Sequence, residues 1–140
     1  MKKLFYFDTS IWLDFFEDRN EPNMQKGEWI HKLMKDIIIN NCKILYSDNN
    51  LIELYALGYS RYEINDLLKP IKQVLIFVGT NEKQIGKAKD LSMKRSIPKR
   101  DALHAVIARD NNAVLITFDK HFQNLLDIVK PMKPQDITLL

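Results

Sequence analysis

"VLITFD", residues 114–119, decides how this chain folds. Five of its six residues suit a strand buried on both faces of a sheet; the sixth, Asp119, is a carboxylate, and Lys120 and His121 follow it. "LFYFD", residues 4–8, repeats the arrangement and ends on Asp8. Near-continuous apolar strands belong to parallel sheets, which helices cover on both faces. "QVLIFV" and "KILY" supply two more such runs. Between the runs the period changes from that of a strand to that of a helix. Trp29, Leu33 and Ile37 recur every fourth residue with Ile30, Met34 and Ile38 beside them, which predicts a helix over about 24–40.

The remaining segments extend this alternation. Ser10 is placed to cap a short helix through "IWLDFFE"; Ser47 or Asp48 caps the helix carrying "NNLIELYAL", which Gly58 ends. Ser60 and Glu63 have capping-box spacing for a further helix that breaks near Pro70. Residues from about 81 to 95 read as an amphipathic, lysine-rich helix, and "DALHAVIARD" as a buried one. "DKHFQNLLD" predicts a short helix and "DIVKP" a last edge strand. The expected fold is α/β: a three-layer α/β/α sandwich around a mostly parallel sheet of about four to five strands, in a single domain over 1–140. Sites in such sheets form beyond the carboxyl ends of the strands. Asp8 and Asp119 both fall there.

Composition narrows the class. With 140 residues, 46% hydrophobic and 28% charged, the chain has room for one sizeable core and is not a disordered tail. The single cysteine, Cys42, forms no internal disulfide, and no Cys/His cluster suggests zinc. Met1-Lys2-Lys3 before "LFYF" imitates a signal peptide, but Asp8 and Asp14 interrupt it and no small-residue cleavage site follows. The apolar runs are too short to span a bilayer, so no membrane partner and a cytoplasmic location are expected. Net charge is +3; setting four acids aside in one internal site leaves 14 acids against 21 bases, a basic exterior suited to a polyanion.

Two further acids stand in unusual places. Glu53 lies among Leu51, Ile52, Leu54 and Tyr55, and Asp101 opens "DALHAVIA" at or near a helix N-terminus. Each of the four acids has an ordinary reading as a turn residue, a cap or a solvent-facing group. Together, two at strand ends and two on helices, they are able to reach one point at the sheet's carboxyl edge. Two unit charges about 4 Å apart repel by about 4 kcal/mol at an effective dielectric of 20. Such a cluster takes up protons or requires a cation. An all-oxygen set suits Mg²⁺ or Mn²⁺, and ions of that kind polarise a phosphoryl oxygen and activate water for phosphodiester hydrolysis.

"FDTSIWLD", "NLIELYAL", "IPKRDALHAVIA" and "LITFDKHF" resemble, in order and spacing, the motifs of PIN-domain nucleases, among them the toxins of VapC-type toxin–antitoxin pairs. The resemblance covers nearly the whole chain; "DALHAVIA" and Thr117-Phe118-Asp119 are its more specific parts. It implies a PIN-like fold and a Mg²⁺- or Mn²⁺-dependent endoribonuclease with RNA as substrate, a cognate antitoxin and a homodimer. Asp8, Glu53, Asp101 and Asp119 match the family's catalytic, metal-binding acids. Ser10 and Thr117 match its small hydroxyl residues, which orient ligands or waters.

Lys99, Arg100 and Lys120 flank the acids and are placed to hold RNA phosphates or to serve as solvated surface. His104 reads as a packed or hydrogen-bonded core histidine, His121 as exposed loop, and Trp12, Phe15 and Phe16 as core or a dimer face. The competing function is a PIN-like module that binds RNA or protein without cutting. A phospho-receiver domain needs an aspartate at the end of its third strand, where Gly79 and Thr80 stand; a haloacid-dehalogenase phosphatase needs one two residues after Asp8, where Ser10 stands.

Overall fold

The structure, a computed structural model, describes residues 3–139. Its strands are β1 (Leu4–Phe7), β2 (Lys43–Ser47), β3 (Leu75–Val78), β4 (Val114–Ile116) and β5 (Pro131–Met132). They form one sheet in the order β3-β2-β1-β4-β5, and every neighbouring pair is parallel. The α-helices are α1 (Thr9–Glu17), α2 (Lys26–Ile39), α3 (Asp48–Ala56), α4 (Arg61–Leu68), α5 (Glu82–Arg95) and α6 (Lys99–Asp110). Short 3-10 helices span Lys69–Val74, Lys120–Leu125 and Pro134–Asp136.

Strand alternation divides the core into two layers. Phe5, Phe7, Ile44 and Ile116 face α1, α2, α3 and α4, where Ile11, Trp12, Ile30, Met34, Leu54 and Ile64 meet them. Tyr6, Leu45 and Leu115 face the opposite way, toward α5 and α6. Fully burying a large apolar side chain is worth about 1.5–3 kcal/mol. A one-residue slip of β1 would send Phe5 and Phe7 to the wrong layer, so its register is strongly set. α6 buries Ala102 to Ala108 without interruption. Its alanines allow a close approach to the sheet, and that carries the polar ring of His104, 1% exposed, into the interior.

The topology places a crevice where the site was expected. From β1 the chain steps outward through β2 to β3, then returns to the other side of β1 as β4. The order therefore reverses at the β1–β4 pair, and in open parallel sheets ligands bind beyond the carboxyl ends at such a reversal. Asp8 leaves β1 there, and Thr117 to Asp119 leave β4 beside it.

Local signals explain most boundaries. Ser60 and Glu63 form the expected capping box, and Ser47–Asn50 and Asn81–Gln84 form two more. Gly58, at φ +99, closes α3: its N–H donates to Tyr55 O and that of Tyr59 to Leu54 O, the double bond of a Schellman turn. At Gly27 a Cβ would lie 2.9 Å from the Asp18 backbone carbonyl carbon, so the close crossing of the α1–α2 connection favours glycine.

Three expectations shift. The third strand begins at Leu75, because a 3-10 helix with Pro70 in its first turn carries from Lys69 through Val74. The segment after Asp119 is a 3-10 helix, Lys120–Leu125, that ends short of Asp127. The edge strand expected in "DIVKP" lies at Pro131–Met132, where Pro131 is tolerated because an edge strand leaves one side of its ladder unpaired. Cys42 is buried and free, and among the described residues no helix is long and apolar enough to cross a membrane.

Candidate active site

Asp8 sits at the turn from β1 into α1, 4% exposed, with extended backbone. Its Oδ1 accepts from the Ile11 N–H at 3.0 Å and the Ser10 hydroxyl at 2.7 Å. Asp8, not Ser10, thus caps α1: the helix starts at Thr9, so Ser10 lies inside the first turn and turns its hydroxyl back to the cap. Oδ2 accepts from the Thr117 hydroxyl at 2.5 Å, and Thr117 Oγ1 in turn accepts from the Asp119 N–H at 2.9 Å. One buried hydroxyl therefore joins the Asp8 carboxylate to the Asp119 backbone. Burial raises the Asp8 carboxyl above its ordinary range, against the opposing pull of Thr117, His104, Ser10 and Ile11.

Asp101 is the third residue of α6, whose cap position is Pro98, so it is not the helix cap. His121 Nδ1 lies 3.1 Å from Asp101 Oδ2 and 3.3 Å from Asp119 Oδ1. One ligand atom from each of Asp101, Asp119 and His121 lies within 4.8 Å of the other two. Asp119 also caps the following 3-10 helix through the His121 N–H, at 2.9 Å. Burial raises the Asp101 carboxyl and the Asp119 charge adds to the rise, while the His121 hydrogen bond opposes it; the net shift is upward. His121 is raised in turn by its hydrogen bond to Asp101 and by the Asp119 charge.

Glu53 reaches the same edge from α3, held by a sequence of oriented groups. Arg100 donates to Asn49 Oδ1 at 2.9 Å, and since a guanidinium can only donate, the Asn49 oxygen must face it. The Asn49 amide nitrogen then donates to His104 Nδ1 at 3.1 Å, which leaves the ring hydrogen on Nε2, directed at Glu53 Oε1 2.5 Å away. Thr9, the residue after Asp8, also donates to Glu53 Oε1, at 2.8 Å. Tyr6, fully buried, bonds His104 Nδ1 at 2.6 Å and Ser47 Oγ at 2.7 Å. Burial raises the Glu53 carboxyl, but the hydrogen bonds from His104 and Thr9 and the Arg100 charge outweigh it, and the net shift is downward.

The model of the PIN domain matches residues 5–126, most of the chain. The chain belongs to the PIN-domain family. Solved structures share the fold. A toxin–antitoxin complex from Klebsiella pneumoniae is similar at TM-score 0.67 and 14% identity, covering 95% of this chain and 99% of that one. VapBC-1 from nontypeable Haemophilus influenzae is similar at 0.66 and 23%, covering 95% and 99%. VapBC2 from Rickettsia felis, bound to a promoter DNA fragment, is similar at 0.62 and 20%, covering 91% and 98%. No curated protein matches the sequence significantly.

In this PIN domain the four expected acids all stand at one sheet edge, but not in one cluster. Asp101 and Asp119 converge with His121; Asp8 is joined to Asp119 through Thr117; Glu53 is turned to His104 and Thr9. Ser10 is exposed beside Asp8, and Lys99 and Lys120 are exposed at the rim. Arg100 is exposed but spends a donor on Asn49. Beside Asp119 opens a groove of about 460 Å³ whose lining includes Thr117, Lys120, Lys130 and Lys133. His104 is the hydrogen-bonded interior histidine the sequence suggests, and it also orients Glu53. Trp12 is buried, and Phe15 and Phe16 pack on the same core. The sequence reading missed Thr9, Asn49 and the contact of His121 with both acids. A signal for His121 existed, since a side chain two residues past a capping Asp turns back toward it.

Proposed function

We propose that this PIN domain is a divalent-metal-dependent endoribonuclease and the toxin of a toxin–antitoxin pair, with Asp8, Glu53, Asp101 and Asp119 as its catalytic, metal-binding acids. One observation carries the reading: Thr117 ties Asp8 to Asp119 across the β1–β4 reversal while Asp101 converges on Asp119. The donors suit Mg²⁺ or Mn²⁺, being mostly carboxylate oxygen. The raised Asp8 and Asp101 carboxyls fit such an ion as well, because each marks negative charge that its protein neighbours leave under-compensated. When bound, the ion supplies neutralisation of phosphate charge and a more acidic water. The protein's own groups hold the acids ready for it. Ser10, Ile11 and Thr117 fix both oxygens of Asp8; Thr9 and His104 fix Glu53. Lys120, Lys130 and Lys133 line the groove beside Asp119 and suit the phosphates of a single strand, with Lys99 and Arg100 on the other flank of the acids.

The partners that fit are an antitoxin and a second copy of the chain. The similar structures are toxin–antitoxin complexes, and this chain exposes Ile52, Tyr55 and Leu57 around α3, Tyr62 on α4 and Phe77 on β3. Tyr55 and Phe77 line one groove, and exposed apolar surface of this kind suits an interaction face. The test is turnover of end-labelled single-stranded RNA by purified protein with Mn²⁺, with excess EDTA, and with the Asp101→Asn variant. Cleavage lost in EDTA and in the variant is expected. Cleavage undiminished by EDTA would remove the metal from the reading, and RNA binding without turnover would favour a non-cleaving module.

A further inference from the structure

His121 brings to this edge a nitrogen donor that an all-carboxylate site does not call for. It is 54% exposed at the side chain, against 36% for Asp119 and 18% for Asp101, so it stands at the mouth of the pair. Yet its Nδ1 is directed at both carboxylates, 3.1 Å from one and 3.3 Å from the other. Donors that share an ion with bonds of about 2.1 Å lie about 3.0 Å apart at right angles and about 3.4 Å apart at the tetrahedral angle. Both separations fall in that range. The backbone reinforces the pose: the His121 N–H is held by Asp119 Oδ1, so ring and carboxylate belong to one turn and move together.

We propose that His121 is a metal ligand of this site, and that its nitrogen makes the site select a first-row transition ion, such as Mn²⁺, over Mg²⁺. This rests on the carboxylate site proposed above and deepens it. Imidazole nitrogen binds first-row transition ions, Mn²⁺ the least strongly in the series from Mn²⁺ to Cu²⁺, and is a still poorer donor to Mg²⁺, which keeps oxygen ligands and water. The ion takes the place of the hydrogen that Nδ1 otherwise shares with Asp101 and Asp119. The imidazole then carries its hydrogen on Nε2 and offers the Nδ1 lone pair. Asp101, Asp119 and His121 would hold the ion from one side, their ligand atoms lying within 4.8 Å of one another.

The test loads the full-length protein with Mn²⁺ and records pulsed electron paramagnetic resonance, beside calorimetric titrations of Mn²⁺ and Mg²⁺. Wild type should show ¹⁴N modulation from a directly bound nitrogen. His121→Ala should lose it, with Mn²⁺ affinity falling about tenfold or more and Mg²⁺ affinity changing little. A melt in EDTA checks that the variant is folded, as its exposed position leads one to expect. Mn²⁺ bound without ¹⁴N modulation, or an Mn²⁺-to-Mg²⁺ preference unchanged in His121→Ala, overturns the ligand role and leaves the carboxylate site standing. Failure of wild type to bind Mn²⁺ at all overturns both.

Discussion

Asp8→Asn separates a capping aspartate from a metal-binding one, because the structure gives Asp8 both opportunities. Without metal, the asparagine keeps an oxygen for the Ile11 N–H and the Ser10 hydroxyl, and Asn caps helices about as well as Asp. Its amide nitrogen replaces Oδ2 opposite Thr117. Thr117 Oγ1 can accept from it alongside the Asp119 N–H, but its own hydrogen then loses its acceptor. Losing a hydrogen bond to a charged group costs about 1.5–3 kcal/mol. Removing a carboxylate that burial already disfavours offsets much of this. The expected change in EDTA is therefore within about 1 kcal/mol of wild type. Repulsion among the acids, taken alone, would have favoured the variant; the lost Thr117 bond cancels that advantage. Metal restores the contrast. Free ion at about 100 times its Kd stabilises wild type by about 2.7 kcal/mol, and a hundredfold loss of affinity leaves the variant about 0.4. For a chain of this size that is roughly 5–10 °C in Tm against 1–2 °C. Thermal melts of both proteins in EDTA and in Mn²⁺ measure it. Equal Mn²⁺ shifts in the two would remove Asp8 from the ion's ligands, and no shift in wild type would dissolve the shared site.

Thr117→Val removes the hydroxyl that joins Asp8 to Asp119 at nearly constant shape, and should cost about 2 kcal/mol in urea unfolding at neutral pH; a loss below about 0.5 kcal/mol would mean the link carries no strain-free bond worth keeping. Glu53, ordinarily near 4.5 and lowered in the fold, adds stability above that value that drains away as pH falls through its folded value. Glu53→Gln should therefore flatten the acid limb of stability measured in EDTA, and parallel curves for the two proteins would contradict the His104–Glu53 pairing. Replacing Lys120, Lys130 and Lys133 together with alanine should reduce the salt slope of single-stranded RNA binding by about 2, at about 0.7 per lost phosphate contact; an unchanged slope would make them ordinary surface charge.

The sheet was readable because its strands are buried on both faces. "LFYF" and "VLI" have no polar interruption to obscure them, and an acid at the end of each marks where the strand leaves the core. Helix starts were readable where a side chain closes the cap, as Ser60 and Glu63 do. The start of α1 was misplaced because three adjacent residues, Asp8, Thr9 and Ser10, can all cap, and only the length of β1 decides among them. β5 was misplaced because two residues carry no period. The acids were legible as a set, but their grouping was not. Which acid meets which depends on Thr117, Thr9 and His104, whose contacts join segments 44 to 109 positions apart. His104 in particular has Leu103, Ala105 and Val106 beside it in sequence; the polar groups that bond its ring arrive from β1, α1 and α3.

The central place of β1 has a consequence during synthesis. Asp8 is made long before its partner strand, β4, and the hydroxyl that fastens it. At about 5–20 residues per second, the 111 positions from Asp8 to Asp119 take roughly 6–22 s to make. Until then one flank of β1 has no neighbour, and the nascent chain cannot assemble the acidic edge. A chain abandoned by the ribosome anywhere before residue 114 would lack β4 and Asp119, and with them half of the crevice.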